Sequence, residues 1–166
     1  MYYKLFDFIE DWKSESDATI KILSSLTDAS LTKKPDENIR TPGRLAWHIV
    51  TSIGEMAHRT GLTFNIVDEN TPVPLTVNEI LDEYKRVSDG MINEIKTSWD
   101  NKTLLQEDDM YGEMWTKGKT LSVLIAHQIH HRGQLTVAMR LAGLIIPGVY
   151  GPAKEEWANY GMQPQE

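Results

Sequence analysis

The sequence predicts an all-α protein, a four-helix bundle with long connections. Three observations carry this. Four segments of about 20 residues place apolar side chains at helical rather than alternating spacing. Two of them open on strong start signals, Thr41-Pro42 and Thr76-Val-Asn-Glu79. The alternating patterns of a large sheet are missing.

The first helix is expected over residues 3–26, with Leu5, Phe6, Ile9, Trp12, Ile20, Leu23 and Leu26 as its stripe. Ser14-Glu-Ser-Asp17 interrupts that stripe but keeps helical propensity. The second begins with Thr41 as N-cap and Pro42 at the first helical position. It continues through Leu45, Ile49, Ile53 and Met56 to a stop at Gly61. The third follows Pro72-Val-Pro74 with the capping box at Thr76 and Glu79, and its stripe runs from Ile80, Leu81 and Tyr84 to Trp99. The fourth opens near Thr120, carries Leu121, Leu124, Ile125, Leu135, Ala138 and Met139, and stops at Gly143. Residues 65–75 and 101–119 are long connections, able to cross an end of the bundle or cover a site. The tail is rich in turns, and residues 154–157 could make one helical turn.

Composition narrows the function. The chain has 166 residues and no change of character along its length, so one domain over residues 1–166 is expected. Cysteine is absent, which excludes disulfides, iron–sulfur clusters, Cys-ligated zinc and a thiol nucleophile from the protein itself. The acids near the N-terminus argue against a signal peptide, and no apolar run is long enough to span a bilayer, so a cytoplasmic protein is expected. The net charge is -7, with only Lys33-Lys34 as a basic pair, so neither nucleic acid nor a membrane is an expected partner.

The chemistry concentrates in His127-Gln-Ile-His-His131-Arg-Gly-Gln134. On a helix, His131 lies about 40° from His127, so both imidazoles leave the same face and can reach one ion. A third candidate, His48, sits at the edge of the second helix's stripe, with Ser52, Glu55 and Arg59 stacked on nearly the same line. If the two helices pack, three neutral imidazoles could hold a divalent metal and leave a position open for water or substrate. His130 and His58 point elsewhere and are weaker candidates. Glu55 is a candidate hydrogen-bond acceptor behind a ligand histidine, or a general base, and Gln134 could orient water or a polar group of a substrate. Arg132 projects about 140° from His127 and is assigned to the surface, an interface or helix packing. Tyr111, Trp115 and Tyr150 are further candidates at the mouth of the bundle. The same residues also have structural readings. A lone His48 fits a hydrogen-bonded core residue with Thr51 or Ser52, and Asp108-Asp109 fits a solvated loop or a helix cap.

The second-helix histidine followed late by His-x-x-x-His-Arg-Gly-Gln resembles the DinB family of bacterial four-helix proteins. The similarity extends to Thr41-Pro-Gly-Arg-Leu-Ala-Trp-His48 and to the ending from Gly143 to Gly151. The resemblance implies an up-down-down-up bundle, one divalent metal ion (zinc or nickel) on His48, His127 and His131, and a homodimer. It leaves the reaction open. Members of the wider superfamily transfer a low-molecular-weight thiol of the bacillithiol type to an electrophile, and others are described as metal-dependent hydrolases or stress-response proteins. Three functions therefore stand. In thiol transfer, the metal lowers the pKa of an external thiol, which suits a chain without cysteine. In hydrolysis, metal-bound water is the nucleophile and Glu55 the nearest candidate base. The third is a non-catalytic metal-binding, stress-response dimer.

Overall fold

The first stripe forms a helix, α1 (Leu5–Leu23), in a computed structural model that describes residues 1–34 and 36–164. Its buried face is Phe8, Trp12, Thr19, Ile22 and Leu23, whose spacings return to one side of the helix. That face is rotated from the expected one. Phe6 is 70% exposed, whereas Phe8, about 200° around the wheel, is fully buried. The helix ends at Leu23, short of residue 26, and Leu26 is buried in the turn that follows.

A one-turn helix, α2 (Asp28–Leu31), was not expected. Ser30 supports it by accepting the Thr27 N–H at 3.0 Å. Asp28 in turn accepts the N–H of Val77 at 2.7 Å and so satisfies an orphan donor at the start of a later helix.

The expected starts form as their chemistry dictates. In α3 (Pro42–His58), Thr41 Oγ1 accepts the Arg44 N–H at 3.2 Å. In α4 (Val77–Ser98), Thr76 and Glu79 make the reciprocal capping box. The last long helix, α5 (Lys117–Leu141), begins ahead of Thr120 because Thr116 caps it by accepting the Lys119 N–H at 3.2 Å. The tail carries a 3₁₀ helix, Lys154–Tyr160.

The connection over residues 101–119 is not structureless. It holds a 3₁₀ turn, Thr103–Leu105, and an antiparallel hairpin, β1 (Glu107–Met110) with β2 (Glu113–Thr116), in which Met110 pairs with Glu113. The two turn residues, Tyr111 and Gly112, both adopt left-handed φ values of 61° and 86°, as a two-residue hairpin turn demands. Asp109 receives the Gly112 N–H at 2.8 Å. Asp108 is neither a solvated charge nor a helix cap: it meets Lys117 Nζ at 2.7 Å, and Lys117, only 6% exposed, also donates to the Thr60 carbonyl. A buried ammonium needs such partners, and this one anchors the base of the hairpin to the start of α5.

The four long helices pack in a ring, α3 against α5 and α4, and α1 against α5 and α4, around a core to which all four contribute. The connection after α3 lies close against the bundle. Trp47 Nε1 donates to the Thr71 carbonyl at 2.9 Å, and a Cβ on Gly54 would come within 2.6 Å of Ile66, so only glycine admits that approach. Among the described residues, no helix is long and apolar enough to cross a membrane.

Arg132 serves helix packing. Only 3% exposed, it donates to the Glu15 carbonyl at 3.0 Å, to Thr19 Oγ1 at 3.1 Å and to the Glu15 carboxylate at 2.6 Å, with Tyr150 closing the group. This network joins α1, α5 and the tail. Glu15→Ala leaves a guanidinium buried without its counter-charge and is expected to cost about 3 kcal/mol in urea unfolding. A loss below about 0.5 kcal/mol, the size of an ordinary surface change, would show that the network contributes little.

Candidate metal centre

The packing of α3 on α5 brings His48 to His127 and His131. One potential ligand atom from each lies within 4.8 Å of the others. His48 Nε2 and His131 Nε2 are 3.2 Å apart. Nitrogens bound to one tetrahedral ion at about 2.0–2.1 Å lie about 3.3 Å from each other, so this spacing fits a shared cation. The rings tilt steeply, by 60° to 87°, with centroids 4.3 to 5.1 Å apart, so they converge rather than stack.

Electrostatics favours the ligand form. Burial is the main cause that pushes His48 and His127 down to about 4, and the neighbouring imidazoles add to it. His131 is also lowered, again chiefly by burial. All three are therefore neutral at pH 7, as metal coordination requires. Gln134 Oε1 lies 2.9 Å from His131 Nδ1. As an acceptor it places the proton on Nδ1 and leaves the lone pair on Nε2, facing His48. The Gln134 amide nitrogen meets His130 Nε2 at 3.1 Å, so His130 steadies this acceptor from outside the cluster. The buried Nδ1 of His127 has no hydrogen-bond partner among the described residues. An unsatisfied imidazole nitrogen beside two other imidazoles suits a ligand set for a cation better than a hydrogen-bonded core cluster. The residues fit a divalent metal that accepts imidazole nitrogen.

The three histidines stand between two cavities. One, of about 370 Å³, is lined by His48 and His127 with Ser52, Glu55, Arg59 and Tyr111, so the stack expected below His48 does share one space with it. The other, of about 420 Å³, is lined by His131 and Gln134 with Ile39, Arg40, Leu45 and Val137. Glu55 reaches the first cavity with both oxygens engaged, Oε1 by Arg59 and Oε2 by the Tyr111 hydroxyl, each at 2.6 Å. The Arg59 guanidinium also lies 4.5 Å from the centre of the Tyr111 ring. Burial and the bond to Glu55 push Tyr111 up to about 12, which keeps the phenol a proton donor.

Other expected candidates lie elsewhere. Tyr150 joins Arg132 and Glu15, Trp115 packs beside Tyr111, and His58 bonds the Phe64 carbonyl. Sequence reasoning did not connect Tyr111 to Glu55, because Tyr-Gly between two acidic strands is not one of the turn pairs that mark a hairpin. It also missed Arg40 and Glu69, loop residues on opposite sides of the cluster with no pattern to mark them.

The lowered histidines give a pH signature. Below the ordinary 6.5 the unfolded chain takes up protons while His48 and His127 stay neutral until about 4. The unfolded state then binds more protons, so metal-free protein loses stability as pH falls through that window. A His48→Gln/His127→Gln double variant is expected to lose less between pH 7 and 4.5 in urea midpoints. Identical slopes for the two proteins would show that these imidazoles are not held neutral by the fold.

Comparison with known proteins identifies the family. The sequence model of the DinB family matches residues 1–166. The chain is 45% identical over 163 residues to the uncharacterised protein YrdA of Bacillus subtilis (strain 168), covering 98% of each chain. A crystal structure of a DinB-like protein from Bacillus cereus ATCC 10987 superposes with a TM-score of 0.86 at 40% identity, over 90% of this chain and all of that one. A second DinB-like structure, YjoA of Bacillus subtilis, shares the fold with a TM-score of 0.68 at 19% identity, over 89% of this chain and 99% of that one. This protein, with three histidines from two packed helices brought to one point, belongs to the DinB family.

Proposed function

We propose that this protein binds one divalent metal ion, zinc or nickel, through His48, His127 and His131, and transfers a low-molecular-weight thiol of the bacillithiol type to an electrophile. The observation that carries this reading is the convergence of three neutral imidazoles, open to a cavity on either side. A metal bound there would supply Lewis acidity, lowering the pKa of a thiol or of water in its open position. The chain's own residues do the rest. Gln134 holds the His131 tautomer, burial keeps the imidazoles unprotonated, and Tyr111 presents a phenol to one cavity. In the transfer, a sulfur–carbon bond forms as the carbon–leaving-group bond breaks, and the thiol proton passes to solvent. Family membership supports the finer parts of the reading: an up-down-down-up bundle forming one domain, acting in the cytoplasm as a homodimer.

Hydrolysis is the second reading, favoured by a carboxylate, Glu55, on the cavity beside His48. Taking a proton from water there would cost Glu55 its bond to Arg59 or to Tyr111, which weighs against a general-base role.

The metal assignment predicts about one equivalent of divalent metal in tag-free protein and its loss in His131→Ala. Gln134→Leu, which removes the acceptor behind His131, is expected to weaken metal affinity by about 10- to 100-fold in competition with a chromogenic chelator. Protein that neither carries nor binds metal would remove the basis of both enzyme readings.

Activity separates those readings. Metal-loaded protein is expected to conjugate bacillithiol to a chromogenic electrophile, with Glu55→Gln within about threefold of the native rate. A general base would instead lose about 10²- to 10⁴-fold of an ester-hydrolysing activity in the same variant. Metal-dependent conjugation absent across several electrophiles would sink thiol transfer. If hydrolysis were absent too, a non-catalytic metal-binding bundle would remain.

A further inference from the structure

The two cavities beside the histidines differ in charge. On the side of His48 and His127, the carboxylate of Glu55 is matched by Arg59, and Glu69 has no ion-pair partner among the described residues. The other cavity shows the opposite sign. Ile39, Leu45 and Val137 give it apolar walls, and Arg40 and Asn38 supply its polar edge. Arg40 and Arg44 are exposed and have no ion-pair partner among the described residues. In a protein of net charge -7, the unmatched guanidinium of Arg40 on the lining of this opening gives it a local potential against the overall trend.

We propose that the cavity of about 420 Å³ between Ile39, Leu45, Val137 and Arg40 binds a small organic carboxylate with an apolar body, oriented towards the three histidines. Arginine suits this role because its planar fork matches a carboxylate with two parallel hydrogen bonds. The volume is that of a small-molecule site, and Ile39, Leu45 and Val137 reward the apolar part of such a ligand. A cationic ligand would meet Arg40 and be repelled. This inference rests on the thiol-transfer reading for the atom that faces the histidines: the thiol taken up here carries a carboxylate. The carboxylate preference itself can be read without that assumption.

The test uses the full-length protein loaded with cobalt(II), whose visible spectrum reports on its ligands. It is titrated with 3-mercaptopropionate, 2-mercaptoethanol and cysteamine, following the thiolate-to-cobalt absorption band. The native protein is expected to bind 3-mercaptopropionate about tenfold more tightly than cysteamine, the order of one charge-assisted pair. Arg40→Gln should bring that ratio to within about twofold. Val137→Trp, a change at a side chain that is 55% exposed and so compatible with folding, should weaken 3-mercaptopropionate several-fold by filling the cavity. Equal affinities in the native protein, or binding unchanged in either variant, would overturn the site. If no thiol produces the band, the thiol reading fails. The site is then judged by thermal shift with 3-phenylpropionate and its amide: stabilisation by the acid alone, lost in Arg40→Gln, supports it, and no difference between the two overturns it.

Discussion

The register of α5 on α3 is the constraint on which the rest of the structure depends, and a buried amide marks it. Gln128, 1% exposed, donates its Nε2 to the Ile49 carbonyl at 2.9 Å and meets Ser52 Oγ at 3.4 Å. Its neighbour in sequence is His127, and the neighbour of Ile49 is His48. A slip of one helical turn would move α5 by about 5.4 Å, enough to part imidazoles now at contact distance and to leave the amide unpaired in the core. The polar pair thus fixes the same register that the histidine cluster needs.

The centre works through graded burial. The histidines are half-buried, deep enough to stay neutral and shallow enough to open onto two cavities. Around them the polar groups divide by task. Gln134 and His130 orient one imidazole from outside the cluster, while Glu55, Arg59 and Tyr111 occupy one another on a single side. Tyr111 reaches that position because the hairpin turn accepts a left-handed residue at its tip and the Lys117–Asp108 pair fixes its base.

Much of the helical frame was legible in the residues. Thr41-Pro42 and the Thr76–Glu79 box start α3 and α4 where their local hydrogen bonding requires, because capping depends only on neighbouring atoms. The stripe of α4 reads correctly for a similar reason: its apolar side faces the core and its polar side does not. α5 was harder. Lys117, Thr120, Gln128 and Arg132 lie on its buried face, so hydrophobicity alone does not mark which side is inside. In α1 the aromatic pair Phe6 and Phe8 offers two faces, and only the neighbouring helices select Phe8. The hairpin escaped because its strands carry Glu107, Asp108 and Glu113, with little of the usual strand chemistry.

The sequence by itself determined that His127 and His131 share a helix face, since an i, i+4 spacing is a property of one helix, and that the chain is predominantly helical. It also marked His48, at the edge of another helix's stripe, as a third candidate, and family resemblance then implied that all three hold one metal. Tertiary structure decided what no local pattern encodes: that His48 meets His131 at 3.2 Å, that Arg132 faces α1 rather than solvent, and that loops place Tyr111 and Arg40 on opposite sides of the cluster. The physical reason is range. Caps and periodicities act over a few residues of one chain segment, whereas the distance between two helices follows from every side chain packed between them.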